Sequence, residues 1–182
     1  NNSALLSTNG EWSNAAGSII VNNGSIEVQS TFTNDGIMEP SGTGGFILNG
    51  ETGYTFKTNG AVGFLVKNQG STVTIDGAFL VKDSLSIYEG VLDVPDGADT
   101  LLISASTAIK ATPGSYVNGQ MGFSGSGTIT FPVGRDRYLL PITLHRINAS
   151  KVVTRAVPFP PGVSAGSGVD SLVNFPYMWE VF

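Results

Sequence analysis

Short runs of Val, Ile, Leu, Phe and Thr recur along the chain, and Gly, Asn or Asp interrupts each run after a few residues. Ser18-Ile19-Ile20-Val21 gives way to a turn, then to Ser25-Ile26-Glu27-Val28. Phe46-Ile47-Leu48, Tyr54-Thr55-Phe56, Val73-Thr74-Ile75, Phe79-Leu80-Val81, Leu85-Ser86-Ile87 and Leu101-Leu102-Ile103 continue the series. β-branched and aromatic residues fit a pleated surface, so these runs are predicted strands. No window places apolar residues at i, i+3, i+4 and i+7 between caps, so no helix is predicted.

The punctuation is as regular as the strands. Asn-Gly or Asp-Gly pairs stand at Asn9, Asn23, Asp35, Asn49, Asn59, Asp76, Asp96 and Asn118. Gly, Asn and Asp tolerate the left-handed backbone of a tight turn. Every second pair returns after roughly 24–27 residues, through positions 9, 35 and 59 and through 23, 49 and 76. Repeats of that length imply a solenoid, each coil burying its apolar face against its neighbours. A sandwich or meander of hairpins also spaces strands this way. The solenoid is preferred because the turns recur without the apolar/polar alternation of hairpins.

The pattern changes near residue 132. In Leu140-Pro141-Ile142-Thr143-Leu144-His145 the apolar Leu140, Ile142 and Leu144 share one face, with Thr143 and His145 on the other. That period of two predicts an antiparallel sheet with one wet face. Lys151–Val157 is a second predicted strand, and a Pro/Gly/Ser-rich loop follows over roughly 158–171. Two domains are expected: a β-solenoid over 1–134 and the N-terminal part of an Ig-like β-sandwich over 135–182. Asn1 and the apolar strand at the far end suggest a mature chain or a fragment, with more sequence following.

The second part carries a resemblance. Gly127-Thr128-Ile129-Thr130-Phe131-Pro132-Val133-Gly134, then Arg137-Tyr138-Leu139-Leu140-Pro141-Ile142-Thr143-Leu144, then Tyr177-Met178-Trp179-Glu180-Val181, resembles a block in large secreted surface proteins of the Bacteroidetes. There, β-helical coils end in an F-P-V-G segment, and a sandwich with an R-Y-x-P-I-x-L strand follows. The resemblance implies an adhesin or surface filament at the bacterial cell surface, commonly exported by the type IX secretion system. It also implies O-glycosylation at Asp-(Ser/Thr)-apolar, which matches Ser84, Thr100 and Ser171 here. Expected partners are other surface-protein domains, copies of the chain itself, and glycans.

Composition narrows the chemistry. Charged residues are only 13 % of 182, and the net charge is −5. Residues 1–56 contain no Lys or Arg, which opposes nucleic-acid binding because that affinity rests on cations. There is no Cys, so disulfides and thiolate sites are excluded. No run reaches the roughly 18 apolar residues of a membrane-spanning helix.

Candidate catalytic groups are sparse. His145 is the single histidine, and no acid stands near it in sequence to complete a triad. Asp93, Asp96 and Asp99 could offer oxygens to calcium, but the spacing fits no EF-hand loop, and a solvated turn is expected. Polysaccharide lyases and hydrolases on β-helices need converging carboxylates and cations. Here Lys57, Lys67, Asp76, Lys82 and Asp83 are scattered singly. Thr31/Thr33, Thr72/Thr74 and Thr128/Thr130 lack the constant period of an ice-binding face. Trp12 and Tyr88 could stack on sugars, although aromatics in such coils are more often core residues. The expectation is a non-catalytic structural segment with no cofactor and no metal. A carbohydrate-binding module and a β-helical lyase or hydrolase remain as rivals.

Overall fold

The computed structural model of the protein describes residues 4–39, 41–95, 100–158 and 177–181, and it is all β. The chain winds through about six coils of a parallel β-solenoid. Each coil passes through three short strands, most of which pair in parallel with their equivalents in the neighbouring coils, while Ile19–Ile20 and Ile37–Met38 form a separate two-stranded sheet. The first face stacks Leu5–Thr8, Ser25–Val28, Gly45–Leu48, 64–67, 84–87 and Ala108–Ala111. The second face stacks Trp12–Asn14, Phe32–Asn34, Tyr54–Lys57, Thr72–Asp76, Val91–Val94 and Tyr116–Gly119. The third face holds Ile19–Ile20, Ile37–Met38, 60–62, 79–81, Leu101–Ser104 and 121–124. The strands Gly60–Lys67 and Phe79–Ile87 run round the corner from the third face to the first, and the register slips there between Val81 and Ser84.

Alternation builds the core. On the first face Ile26, Phe46, Leu65 and Leu85 face one another across successive ladders, all pointing inward and buried. On the second face Tyr54, Val73, Leu92, Val117 and Val133 do the same. Trp12 stacks on Phe32 at 4.4 Å between ring centroids, and Phe32 on Phe56 at 5.3 Å. Phe46 meets Phe32 and Phe56 edge-on from the first face. Such pairs contribute about 0.5–1.5 kcal/mol each beyond their buried area.

The coil is shorter than the sequence pattern suggested. Trp12 faces Phe32, Phe32 faces Phe56 and Phe56 faces Ile75, so coils of 20, 24 and 19 residues follow one another. The 24–27-residue spacing arose by joining Asn-Gly and Asp-Gly pairs from different corners. The corner between the first and second faces repeats more strictly, through Asn9-Gly10, Gln29-Ser30, Asn49-Gly50, Gln69-Gly70 and Glu89-Gly90.

The glycines of these pairs serve two purposes. Gly77 has φ +97° and takes the left-handed turn that Asp76-Gly77 predicts. Gly36 does not. A Cβ there would run into the Ser18 carbonyl and the Asn14 amide, so this glycine lets adjacent coils approach.

Parallel pairing gives way to antiparallel pairing at the expected place. Val133–Arg135 still pairs in parallel with Tyr116–Gly119, and Tyr138–Leu139 then returns antiparallel through a turn with positive φ at Asp136 and Arg137. Met121–Phe131 pairs with Ile142–Pro158, which pairs with Tyr177–Val181, both antiparallel. These strands extend the solenoid's own sheets over its last coil. The two strands expected at 140–145 and 151–157 are one long strand whose register shifts twice. Thr143 and His145 are exposed, while Ile142 and Leu144 pack against the core.

Candidate functional site

The acidic and basic residues that a catalytic groove would gather are spread out. Asp76 and Asp93 point outward on the second face, where Asp76 faces Lys57 and Asp93 accepts a 2.6 Å bond from Asn118 Nδ2. Asp83 is exposed at the corner between the third and first faces. Lys82 beside it donates to the Gly42 carbonyl at 2.9 Å. Lys57 pairs with Asp35 at 2.8 Å. Asp96 and Asp99 lie outside the described residues. Among the described residues no three of His, Cys, Asp or Glu come together in metal-binding geometry.

The other predicted positions separate as clearly. Ser84 is half-buried beside exposed Asp83, whereas Thr100 is only 3 % exposed. Ser171 lies outside the described residues. Trp12 lies against Phe32, and Tyr88 carries the Lys110 ammonium 4.9 Å from its ring centre. Thr33 faces Lys57 and Thr74 faces Asp93, so these threonines form no continuous row.

Two sets of amides run along the solenoid. The inner set is structural. Asn14 Nδ2 donates to Asn34 Oδ1 at 2.8 Å, and Asn34 Nδ2 donates to Thr58 Oγ1 at 3.2 Å. Asn34 Oδ1 also receives the Gly36 N–H at 3.1 Å. Asn22 does similar work at another corner, accepting from Gly24 N–H and donating to the Gly45 carbonyl. Asn22, Asn34 and Thr58 are buried, and these bonds satisfy polar groups that would otherwise be stranded.

The outer set lines a polar groove of about 380 Å³ at the corner between the first and second faces. Asn9, Gln29, Asn49 and Gln69 come from four successive coils, and Glu51 and Thr52 flank them. Glu27 stands beside this row. Its Oε1 accepts from Asn49 Nδ2 at 2.6 Å and from Gln29 Nε2 at 3.2 Å. The Asn49 bond, against the opposing effect of burial and with help from Gln29 and Ser7, holds this carboxyl below its ordinary range. Gln69 and Glu51 make no side-chain hydrogen bond among the described residues. Glu51 is exposed and Gln69 is half-buried, and both keep their side-chain polar atoms unspent.

Beneath the groove sits Lys67. Its side chain occupies an inward position between Leu48 and Ile87, at 0 % exposure. The ammonium reaches the corner and donates to the Gln69 carbonyl and to Ser71 Oγ. Burial pulls its pKa down to about 8, with the charge of Glu89 opposing. Sequence reading placed Lys67 among scattered single charges and missed the groove. The 20-residue recurrence of Asn or Gln before Gly or Ser was the available signal.

Comparison with protein-family models, with curated proteins and with solved structures returned no match.

Proposed function

We propose that this chain is a non-catalytic stalk or filament segment of a bacterial cell-surface adhesin. The supporting observation is the continuity of its core. Inward columns pass from coil to coil, stacked aromatics join the first coils, and the antiparallel strands cover the last coil. Unpaired strand edges invite association, and covering one end leaves a rod that can be joined to other domains. The dispersal of Asp76, Asp83, Asp93, Lys57 and Lys82 fits a load-bearing role better than a cleaving one. Of the two expected O-glycosylation positions among the described residues, Ser84 is the more accessible, and Thr100 would have to be modified before folding.

The experiment is incubation of the protein with neutral and acidic polysaccharides. New reducing ends and the ultraviolet absorbance of unsaturated products would be followed. No cleavage of any polymer is the expected result. Turnover that is lost in Asp76→Asn or Asp93→Asn would replace the stalk with a lyase or hydrolase.

A further inference from the structure

We infer that the outer amide groove is a binding site for a neutral, hydroxyl-rich polysaccharide strand lying along the solenoid axis. Position comes first. Asn9, Gln29, Asn49 and Gln69 occupy one corner of four consecutive coils and line one groove. Coils are about 4.8 Å apart, so the row extends on the order of 15 Å, the length of a short oligosaccharide.

The functional groups select the ligand. A side-chain amide offers two donors and an acceptor, and a sugar hydroxyl both donates and accepts. The buried amides Asn22 and Asn34 spend their groups on the fold. Asn9 Oδ1 accepts from Ser7 Oγ at 3.4 Å, and the other three groove amides are less engaged. Gln69 spends none of its side-chain groups among the described residues, and Gln29 and Asn49 use only their NH₂ groups, both on Glu27. Glu27 thereby fixes two groove-lining amides in place, and their oxygens are not spent on the fold. This is preorganisation, which lowers the ordering cost of binding.

Charge excludes the main competitors. Residues 1–56 hold no cation, Glu27 and Glu51 stand at the groove, and the Lys67 ammonium is bonded into the backbone below. An acidic glycan or a nucleic acid would meet the Glu51 carboxylate in the groove lining, with no Lys or Arg among the lining residues. An apolar peptide would find no apolar side chain among the groove-lining residues. The site goes beyond the stalk reading, because it gives the stalk a lateral contact with surrounding glycan.

The test is an NMR titration of the ¹⁵N-labelled protein with cellohexaose, xylohexaose, mannohexaose and laminarihexaose, with an oligogalacturonate as the acidic control. The expected result is movement of the side-chain amide signals of Asn9, Gln29, Asn49 and Gln69 with at least one neutral hexasaccharide, and none with the oligogalacturonate. Gln69→Ala removes a side chain that no other residue holds, so it keeps the fold, and affinity should fall about tenfold. His145→Ala, on the exposed face of the terminal antiparallel strand, should bind like the parent. The inference is overturned if no neutral hexasaccharide moves these signals, if the acidic sugar binds equally well, or if folded Gln69→Ala and Glu51→Ala both bind unchanged. Such a failure leaves the stalk reading standing, since that reading rests on the core and on the absence of turnover.

Discussion

Lys67 stands directly across the parallel ladder from Ile87, so an ammonium-bearing chain shares an inward column with Val28, Leu48 and Ile87. Its pKa falls to about 8 from 10.5, chiefly through burial. A lysine whose pKa is lowered by folding costs stability wherever it is charged in both states. Below pH 8 that cost is complete; between about 8 and 10.5 it is relieved as the folded state loses the proton first. Urea unfolding should therefore show stability rising across this interval. In Lys67→Met the rise should vanish. An unchanged profile in the variant would mean that another group governs it.

Tyr54 acts in the opposite direction. Burial raises its pKa to about 12, and its hydroxyl donates to the Val28 carbonyl at 3.0 Å. The neutral phenol is favoured by folding, so stability holds below pH 10 and is lost as pH climbs from 10 to 12. Tyr54→Phe should cost about 1 kcal/mol at neutral pH, the worth of one buried hydrogen bond. It should also flatten the alkaline decline. A steeper decline in the variant would exclude Tyr54 as its source.

Asn34 joins three groups at once: the Asn14 amide, the Gly36 N–H and the Thr58 hydroxyl. Asn34→Ala strands the Gly36 donor in a buried corner and cuts the link between coils. Each stranded group costs about 1–3 kcal/mol, so a loss of about 2–4 kcal/mol is expected in thermal or urea unfolding. A loss below about 0.5 kcal/mol would show that water replaces the ladder freely.

Gly36 and Gly10 both follow a turn-forming residue and read alike in sequence. Gly36→Ala must push the Ser18 carbonyl and the Asn14 amide aside, whereas a Cβ on Gly10 meets nothing within 4 Å. We expect Gly36→Ala to destabilise by more than about 2 kcal/mol and Gly10→Ala to be within about 0.5 kcal/mol of the parent. Equal midpoints for the two variants would contradict the stacking role of Gly36.

These pairs show what the sequence could and could not reveal. The strands themselves were legible, but the solenoid was preferred on an absence of apolar/polar alternation, and the structure shows that alternation within the coils, as at Ile26/Val28 and Val73/Ile75. The change to antiparallel pairing after about residue 132 was legible, because Ile142 and Leu144 alternate with Thr143 and His145. Coil length was not, since Asn-Gly at 9 and Asp-Gly at 35 serve different corners and look identical. Lys67 was hidden because nothing local to Val66-Lys67-Asn68 shows that its position lines up with Leu48 and Ile87. The groove was hidden because its members are 20 residues apart and individually unremarkable in chemistry. The corner repeat, once aligned on Gln29 and Gln69 as well as on Asn9 and Asn49, brings them together.

The most direct test of the account is immunogold electron microscopy of intact cells of the source organism, using antibodies raised against residues 4–135. A surface stalk requires gold at the outside of unpermeabilised cells. Label that appears only after permeabilisation, inside the cell, would contradict it.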